Sequence, residues 1–308
     1  MKRTFHFDRR QFFAAAGAAG ICAPFARAQS NPRPAHLHKM IPSTGETIPA
    51  IGMGSWLTFD VGADRAARAQ RRQVLRSFFE LGGVLIDSSP MYGSSQSVIG
   101  HALEQLKPHT YFTADKVWVQ GGENGPAQIN ESARRWGVGQ FDLLQVHNLV
   151  SWRAHIDTLF QMKADGRLRY VGVTSYAGLR YDDIERIMEN QPLDFVQITY
   201  NLADREAERR LLPLALEKGI AVIANRPFRE GALIDAVMRR PLPEHAAEIG
   251  ATNWAQYLLK FIISHPALTV AIPATRRVDH MRENMGALLG PLPDTAFRQR
   301  MIAEFEGH

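Results

Sequence analysis

The chain has 308 residues, with 36 lysines and arginines against 31 aspartates and glutamates and a formal net charge of +5 at pH 7. Five of the basic residues and one acidic residue lie in the first 28 positions. The remainder therefore carries about +1, which gives no electrostatic case for nucleic acid or an anionic membrane surface as a partner. The single cysteine, Cys22, lies in the same N-terminal segment, which excludes a cysteine nucleophile and a zinc–thiolate site from the remainder.

Residues 1–28 predict a twin-arginine export signal. Arg9 and Arg10 precede a weakly apolar run over residues 12–23, and Ala26-Arg27-Ala28 fits an A-x-A cleavage site. An amphipathic helix and a membrane anchor are the alternatives, but the apolar run is shorter than the roughly 20 residues that span a bilayer. We therefore expect the twin-arginine translocation machinery as a partner, a periplasmic location, no stable membrane anchor and a flexible lead over residues 29–40.

The remaining sequence alternates short apolar runs with longer segments of helical periodicity. The apolar runs predict strands at residues 48–56, 84–87, 111–116, 141–147, 169–174, 195–199, 220–225 and 268–272. The intervening segments predict helices at residues 69–81, 95–106, 128–136, 152–165, 181–190, 206–218, 231–239, 252–265, 278–289 and 295–305. Eight such units favour a single α/β domain, a closed (β/α)8 TIM barrel over residues 41–308. An open doubly wound sheet is the alternative, but its G-x-G-x-x-G fingerprint is not present.

Polar residues stand at the ends of three of the predicted strands. Asp87, Lys116 and His147 each end one, and Tyr92 lies in the loop after the first. In parallel α/β folds the carboxyl ends of the strands meet on one face, where ligands bind. Taken singly, these residues have ordinary structural roles, such as a helix cap or a rim aromatic. Together they predict a proton-transfer site.

The chemistry of this set indicates transfer of a proton to or from a carbonyl oxygen. A tyrosine has a pKa of about 10, and a nearby ammonium lowers it. We expect Lys116 to supply that ammonium, Asp87 to hold it, and His147 to hydrogen-bond the substrate oxygen. Because no side chain donates hydride, the reaction requires a nicotinamide cofactor. A serine hydrolase at Ser88-Ser89 is rejected, since no base motif accompanies these serines.

Several segments resemble motifs of the aldo-keto reductases. The segment at residues 52–56 is similar to the opening motif of that family, and residues 83–93 are similar to its signature segment. Lys116 and His147 match the other tetrad positions in spacing and order. The resemblance covers about residues 40–290. It implies a (β/α)8 barrel that binds NADP(H) across its mouth, with Tyr92 as general acid/base, carbonyl compounds or alcohols as substrates, and no metal.

The resemblance also implies positions for the cofactor and the substrate. The cofactor-binding residues would be Ser55, Trp56, Thr174, Ser175, Gln197, Asn225, Arg226, Thr275, Arg276, His280, Glu283 and Asn284. The substrate pocket would contain Trp56, Trp118 and Asn148, although packing of the barrel mouth is an alternative role for Trp56.

The cofactor positions depart from the family pattern in four places. Thr174-Ser175 replaces the usual Ser-Asn pair, and Asn225 replaces a tyrosine that stacks on the nicotinamide. Ala274 replaces a lysine that contacts the 2′-phosphate, and His280 replaces a later arginine. Arg276 and Arg277 would supply that charge instead, although a solvated arginine pair is the alternative. NADP(H) is therefore the expected cofactor and NAD(H) the alternative.

Two functions follow from these observations. The first is an NADP(H)-dependent oxidoreductase that reduces aldehydes or ketones to alcohols, or runs the reverse. The second is a non-catalytic nicotinamide-binding or sensing barrel that serves a partner protein, which the missing stacking ring and the export signal would favour.

Overall fold

The computed structural model describes residues 36–307. Its strands are β1 (His38–Met40), β2 (Thr47–Pro49), β3 (Met53–Gly54), β4 (Leu85–Asp87), β5 (Phe112–Val117), β6 (Phe141–His147), β7 (Leu168–Thr174), β8 (Phe195–Thr199), β9 (Ala221–Asn225) and β10 (Leu268–Ala271). Its α-helices are α1 (Arg65–Glu80), α2 (Ser95–Leu106), α3 (Gly125–Trp136), α4 (Trp152–Ala164), α5 (Tyr181–Asn190), α6 (Leu211–Lys218), α7 (Ala232–Val237), α8 (Trp254–Ile263), α9 (Val278–Gly286) and α10 (Thr295–Glu306).

Strands β3 to β10 form an eight-stranded parallel sheet in which each strand pairs with its neighbour in sequence. The two end strands meet through parallel bridges between Ile51 and Ala271 and between Gly54 and Ala274. The amide of Gly52 donates to the Ala271 carbonyl at 2.8 Å across this seam. The predicted (β/α)8 barrel is therefore confirmed.

The barrel strands are buried on both faces, as parallel strands covered by helices must be. Alternate residues face the barrel interior, where Leu85, Phe112 and Leu143 belong to one hydrophobic cluster. The residues between them, such as Ile86 and Leu144, pack in a larger cluster beneath the helices. This two-residue period decides which polar side chains at the strand ends face inward.

A hairpin covers the N-terminal end of the barrel. Strands β1 and β2 pair antiparallel, and Ile41 and Ile48 pack into the interior cluster of the barrel. The sequence pattern predicts one strand over residues 48–56, but the chain forms β2 and the short β3 there. The end of the predicted flexible lead is also wrong, because His38–Met40 is a strand. The predicted signal at residues 1–28, and the lead up to residue 35, lie outside the described residues.

The predicted helix at residues 206–218 is divided in two. A 3-10 turn spans Glu206–Arg209, and α6 begins only at Leu211. Pro213 explains the break, because its ring would clash with the carbonyl of residue 209 in a continuous helix, whereas a first turn tolerates proline. Within residues 36–307, none of the helices combines the length and the apolar character that crossing a bilayer requires.

Candidate active site

The barrel brings the predicted tetrad to the carboxyl ends of three adjacent strands. Asp87 ends β4, Lys116 is the second-last residue of β5, and His147 ends β6. Asp87 is two residues from the inward-facing Leu85, and Lys116 and His147 are each four residues from the inward-facing Phe112 and Leu143. Because an even spacing keeps side chains on the same face of a strand, all three belong to the interior face. The alternation of side chains along each strand therefore places Asp87, Lys116 and His147 on the same face.

Lys116 and Asp87 form a fully buried ion pair. The Nζ atom of Lys116 lies 2.8 Å from Oδ1 and 2.7 Å from Oδ2 of Asp87, and 2.7 Å from the carbonyl oxygen of Ser88. Its three N–H donors are therefore all engaged, which a buried ammonium needs. Burial raises the pKa of Asp87 above its ordinary value, and the Lys116 ammonium opposes that shift.

Tyr92 packs against this pair but keeps its proton. Lys116 Nζ lies 5.1 Å from the centroid of the phenol ring. Burial, followed by the carboxylates of Asp87 and Asp115, raises the pKa of Tyr92 well above its ordinary value. The expectation of a lowered pKa for Tyr92 is therefore wrong, because burial and the two carboxylates raise it. A neutral phenol keeps an O–H group that can donate a hydrogen bond.

His147 is a neutral imidazole beside Tyr92. The two ring centroids are 5.7 Å apart and the rings meet edge to face at 84°. Burial, with the Lys116 ammonium as a second cause, holds the pKa of His147 well below its ordinary value. Its Nδ1 atom lies 2.8 Å from the hydroxyl oxygen of Ser89.

Ser89 is not among the residues that the sequence pattern predicts for the site. A base does lie next to it, contrary to the expectation for the Ser88-Ser89 pair. Ser89 is nevertheless completely buried, so a substrate has no access to a nucleophile there. In the sequence, the feature that could indicate this contact is the position of Ser89 in the loop between Asp87 and Tyr92, three residues before Tyr92.

A cavity of about 1030 Å³ opens from the tetrad across the barrel mouth. Most of the predicted site residues line it, namely Ser55, Trp56, Asp87, Tyr92, His147, Asn148, Thr174, Gln197, Asn225, Arg226, Thr275, Arg276, His280, Glu283 and Asn284. Lys116 lies behind Asp87 and is not part of the lining. Tyr176, Phe228 and Trp254 also line the cavity. Tyr176 and Phe228 are missing from the sequence prediction because they lie on loops, where periodicity gives no signal.

Besides Lys116, two further predicted residues do not line this cavity. The hydroxyl of Ser175 donates to the carbonyl of Leu179 within its own loop. Trp118 lies beside His147, with ring centroids 6.4 Å apart, and is 40% exposed. The Ser175 hydroxyl therefore uses its proton within its own loop, while Trp118 lies close to the tetrad.

The cavity lining carries polar groups that are ready for a ligand. Thr174 and Asn284 are each 2% exposed, and neither side chain has a hydrogen-bond partner within residues 36–307. Arg276 is exposed and forms no ion pair with the described residues, whereas the neighbouring Arg277 is paired with Asp279. Polar side chains that face one long cavity without a protein partner, together with a free cation, fit an elongated, phosphorylated cofactor. The described residues contain no group of three or more potential metal ligands.

Comparison with known proteins decides the family. The model of the aldo/keto reductase family matches residues 50–300. The chain belongs to this family. Methylglyoxal reductase YeaE of Escherichia coli is 29% identical over 261 residues, covering 81% of this chain and 89% of that protein. The NADH-specific methylglyoxal reductase of the same organism is 26% identical over 244 residues, covering 67% of this chain and 72% of its own length.

Solved aldo/keto reductases share the fold. The crystal structure of an aldo-keto reductase from Klebsiella pneumoniae in complex with NADPH superposes with a TM-score of 0.73 at 23% sequence identity. The match covers 87% of this chain and 95% of that one.

In this aldo/keto reductase, Asn225 forms a hydrogen-bond network at the position where the family resemblance implies a stacking tyrosine. Its Nδ2 donates to the Ser175 carbonyl at 2.8 Å, and its Oδ1 accepts from the Thr199 hydroxyl at 2.6 Å. The Thr199 hydroxyl in turn accepts the backbone N–H of Ala177 at 2.9 Å. The amide thus joins the ends of three neighbouring strands instead of presenting a ring to the cavity.

Proposed function

We propose that this aldo/keto reductase reduces aldehydes or ketones to alcohols, or runs the reverse, with NADP(H) and with Tyr92 as general acid/base. The observation that carries this proposal is the contact geometry of Asp87, Tyr92, Lys116 and His147 at the end of one long cavity. A neutral phenol and a neutral imidazole together offer the two hydrogen-bond donors that a carbonyl oxygen accepts as it becomes an alkoxide.

The chain's own residues account for the proton side of the reaction. Tyr92 holds its proton through a raised pKa and donates it to the carbonyl oxygen. Lys116, fixed by Asp87, places a positive charge next to the phenol ring and stabilises the phenolate that remains. His147 orients the carbonyl oxygen by hydrogen bonding. A reduced nicotinamide, when bound, supplies the hydride that no side chain can provide.

NADP(H) is supported as the cofactor by the free Arg276 guanidinium in the cavity, since arginine matches the geometry of a phosphate group. Thr174 and Asn284, both unpartnered, would hold polar groups of the cofactor. The solved Klebsiella pneumoniae protein is a complex with NADPH. One Escherichia coli relative is NADH-specific by name, which keeps NAD(H) as the alternative.

The test of the proposal is the oxidation of NADPH over a panel of aldehydes and ketones, beginning with methylglyoxal because two relatives are methylglyoxal reductases. Tyr92→Phe is expected to lower kcat/KM by about 100-fold or more, which is the usual contribution of a positioned general acid. Tyr111→Phe, just before β5 at the opposite end of the barrel, serves as the control.

Full turnover by Tyr92→Phe would refute the role of the phenol. A wild-type protein that binds NADPH tightly, yet is oxidised by no member of the panel, would instead establish the non-catalytic nicotinamide-binding barrel.

We further propose that residues 1–28 direct export of the protein through the twin-arginine machinery to the periplasm. The support is the order of the paired arginines, the apolar run and the A-x-A site in the sequence.

A further inference from the structure

The hydroxyl of Ser89 connects the loop that carries Tyr92 to the ring of His147. Its Oγ lies 2.8 Å from His147 Nδ1, and it accepts the backbone N–H of Met91 at 3.1 Å. Ser89 is completely buried, and His147 is 5% exposed. The backbone carbonyl of Ser89 also accepts the N–H of Tyr92 at 3.0 Å. One residue therefore contacts the imidazole and the loop of the phenol at the same time.

The surroundings of Ser89 decide the direction of the bond to His147. The Met91 amide already occupies one lone pair of the hydroxyl oxygen. Among the described residues, the only hydrogen-bond acceptor for the hydroxyl proton is Nδ1 of His147. If Nδ1 carried a proton and donated it to Ser89, the hydroxyl proton would stay unpaired in a completely buried site, which is unfavourable. The hydroxyl therefore donates, and Nδ1 is the acceptor.

This direction fixes the tautomer of His147. The imidazole is neutral, because burial and Lys116 hold its pKa well below the ordinary value. With Nδ1 unprotonated, its single proton resides on Nε2. Nε2 lies on the opposite edge of the ring, has no partner within residues 36–307, and belongs to a residue that lines the cavity.

We propose that Ser89 is a positioning residue that holds His147 as the Nε2–H tautomer, so that the ring donates a hydrogen bond into the cavity. The effect of this tautomer on catalysis rests on the proposed function, because a carbonyl oxygen needs a hydrogen-bond donor. The other tautomer would direct a lone pair at that oxygen and oppose productive binding.

Nuclear magnetic resonance of 15N-histidine-labelled protein tests the tautomer without any substrate. The signals of His147 are assigned by their loss in His147→Gln. We expect wild-type protein to show a protonated Nε2 and an unprotonated Nδ1. Ser89→Ala is expected to show both tautomers in exchange. Ser88→Ala is the matched control, because the Ser88 hydroxyl is buried in the same loop and contacts Ser95 at 3.2 Å instead of His147. It is expected to keep the wild-type tautomer.

Kinetics supply the second readout. Ser89→Ala is expected to lower kcat/KM for the carbonyl substrate about tenfold, equal to ~1.4 kcal/mol, with the KM for NADPH unchanged. A merely structural role would change melting temperature without changing the tautomer.

Two results would overturn the inference: a wild-type His147 protonated at Nδ1, or a Ser89→Ala variant with the wild-type tautomer. A wild-type His147 protonated at Nδ1 would overturn the inference even if Ser89→Ala does not fold. Failure of the proposed function has a different signature, since a wild-type protein that reduces no carbonyl would leave the tautomer result standing.

Discussion

The buried ion pair between Asp87 and Lys116 makes a sharp prediction for stability. Asp87→Asn removes the carboxylate that, within residues 36–307, pairs with the ammonium of Lys116, a residue that is 0% exposed. The carboxamide has nearly the same shape, so the change is chiefly electrostatic. Its oxygen accepts one N–H of Lys116, but its NH₂ group faces another N–H, donor against donor. The Ser88 carbonyl remains the only unaltered acceptor.

The distances set the size of the effect. At the observed separation of 2.7 Å and an effective dielectric constant of about 20, the attraction between the charges is about 6 kcal/mol. Loss of one partner from a buried pair costs about 3–5 kcal/mol in practice. We therefore expect Asp87→Asn to lower the free energy of unfolding by about 3–5 kcal/mol.

The double variant Asp87→Asn with Lys116→Met separates the charge from packing. Because it also removes the ammonium, no uncompensated charge remains, and most of the lost stability is expected to return. Urea denaturation followed by circular dichroism measures the free energy of unfolding of wild type, Asp87→Asn, Lys116→Met and the double variant. Asp279→Asn is the control, because its partner Arg277 and the aspartate are both more than half exposed, and solvent screens such a pair.

Two outcomes would refute this reasoning. One is an Asp87→Asn variant within about 1 kcal/mol of wild type, the usual range for an exposed pair. The other is a double variant as unstable as Asp87→Asn, which would assign the loss to packing instead of to the stranded charge.

Three further predictions concern the cofactor, the pH profile and export. Arg276→Ala is expected to raise KM for NADPH about tenfold, which corresponds to the loss of one charge-assisted hydrogen bond, while KM for NADH changes little. Arg277→Ala should have a smaller effect on KM for NADPH, because the Arg277 guanidinium is paired with Asp279. Equal effects of Arg276→Ala on KM for the two cofactors would contradict the assignment. Because the pKa of His147 lies well below its ordinary value, kcat/KM should show no histidine inflection from about pH 8 to about pH 5. In the same range the unfolded state binds a proton that folded His147 does not bind, so the free energy of unfolding should fall as pH drops through about 6.5. An inflection of kcat/KM near about pH 6.5 that His147→Gln abolishes would contradict the first of these expectations. Replacement of Arg9 and Arg10 by lysine should retain the protein in the cytoplasmic fraction, as measured by immunoblotting of cell fractions, whereas unchanged periplasmic yield would argue against the signal.

The positions of Asp87, Lys116 and His147 could be predicted because they depend on a local rule. Each lies at or near the end of a short strand whose side chains alternate between two faces, and parallel strands place their carboxyl ends on one face. The observed β6 and β8 have the predicted bounds, as do α2 and α5. Strong periodicity and clear end signals make such elements readable from sequence alone.

The contacts of loop residues could not be predicted in the same way. Ser175 follows a correctly predicted strand, but its hydroxyl bonds to the Leu179 carbonyl of the following turn. Ser89 reaches His147 from a different loop, 58 positions earlier in the sequence. Both outcomes depend on backbone dihedral angles in turns, which residue type constrains only weakly for serine. The His38–Met40 strand depends on a hairpin partner, which no local pattern identifies.

The loop after His147 helps to hold the Nε2–H edge of the imidazole in place. Asn148, Leu149 and Ser151 all have positive φ, at 52°, 57° and 45°. Non-glycine residues adopt this conformation at a cost and keep it only where surrounding contacts enforce it. Arg180 provides one such contact, since its guanidinium donates to the Leu149 carbonyl at 3.1 Å. His147 is therefore held from two sides, by Ser89 at its ring and by this constrained loop at its backbone, so the direction of its Nε2–H bond is set before a substrate enters.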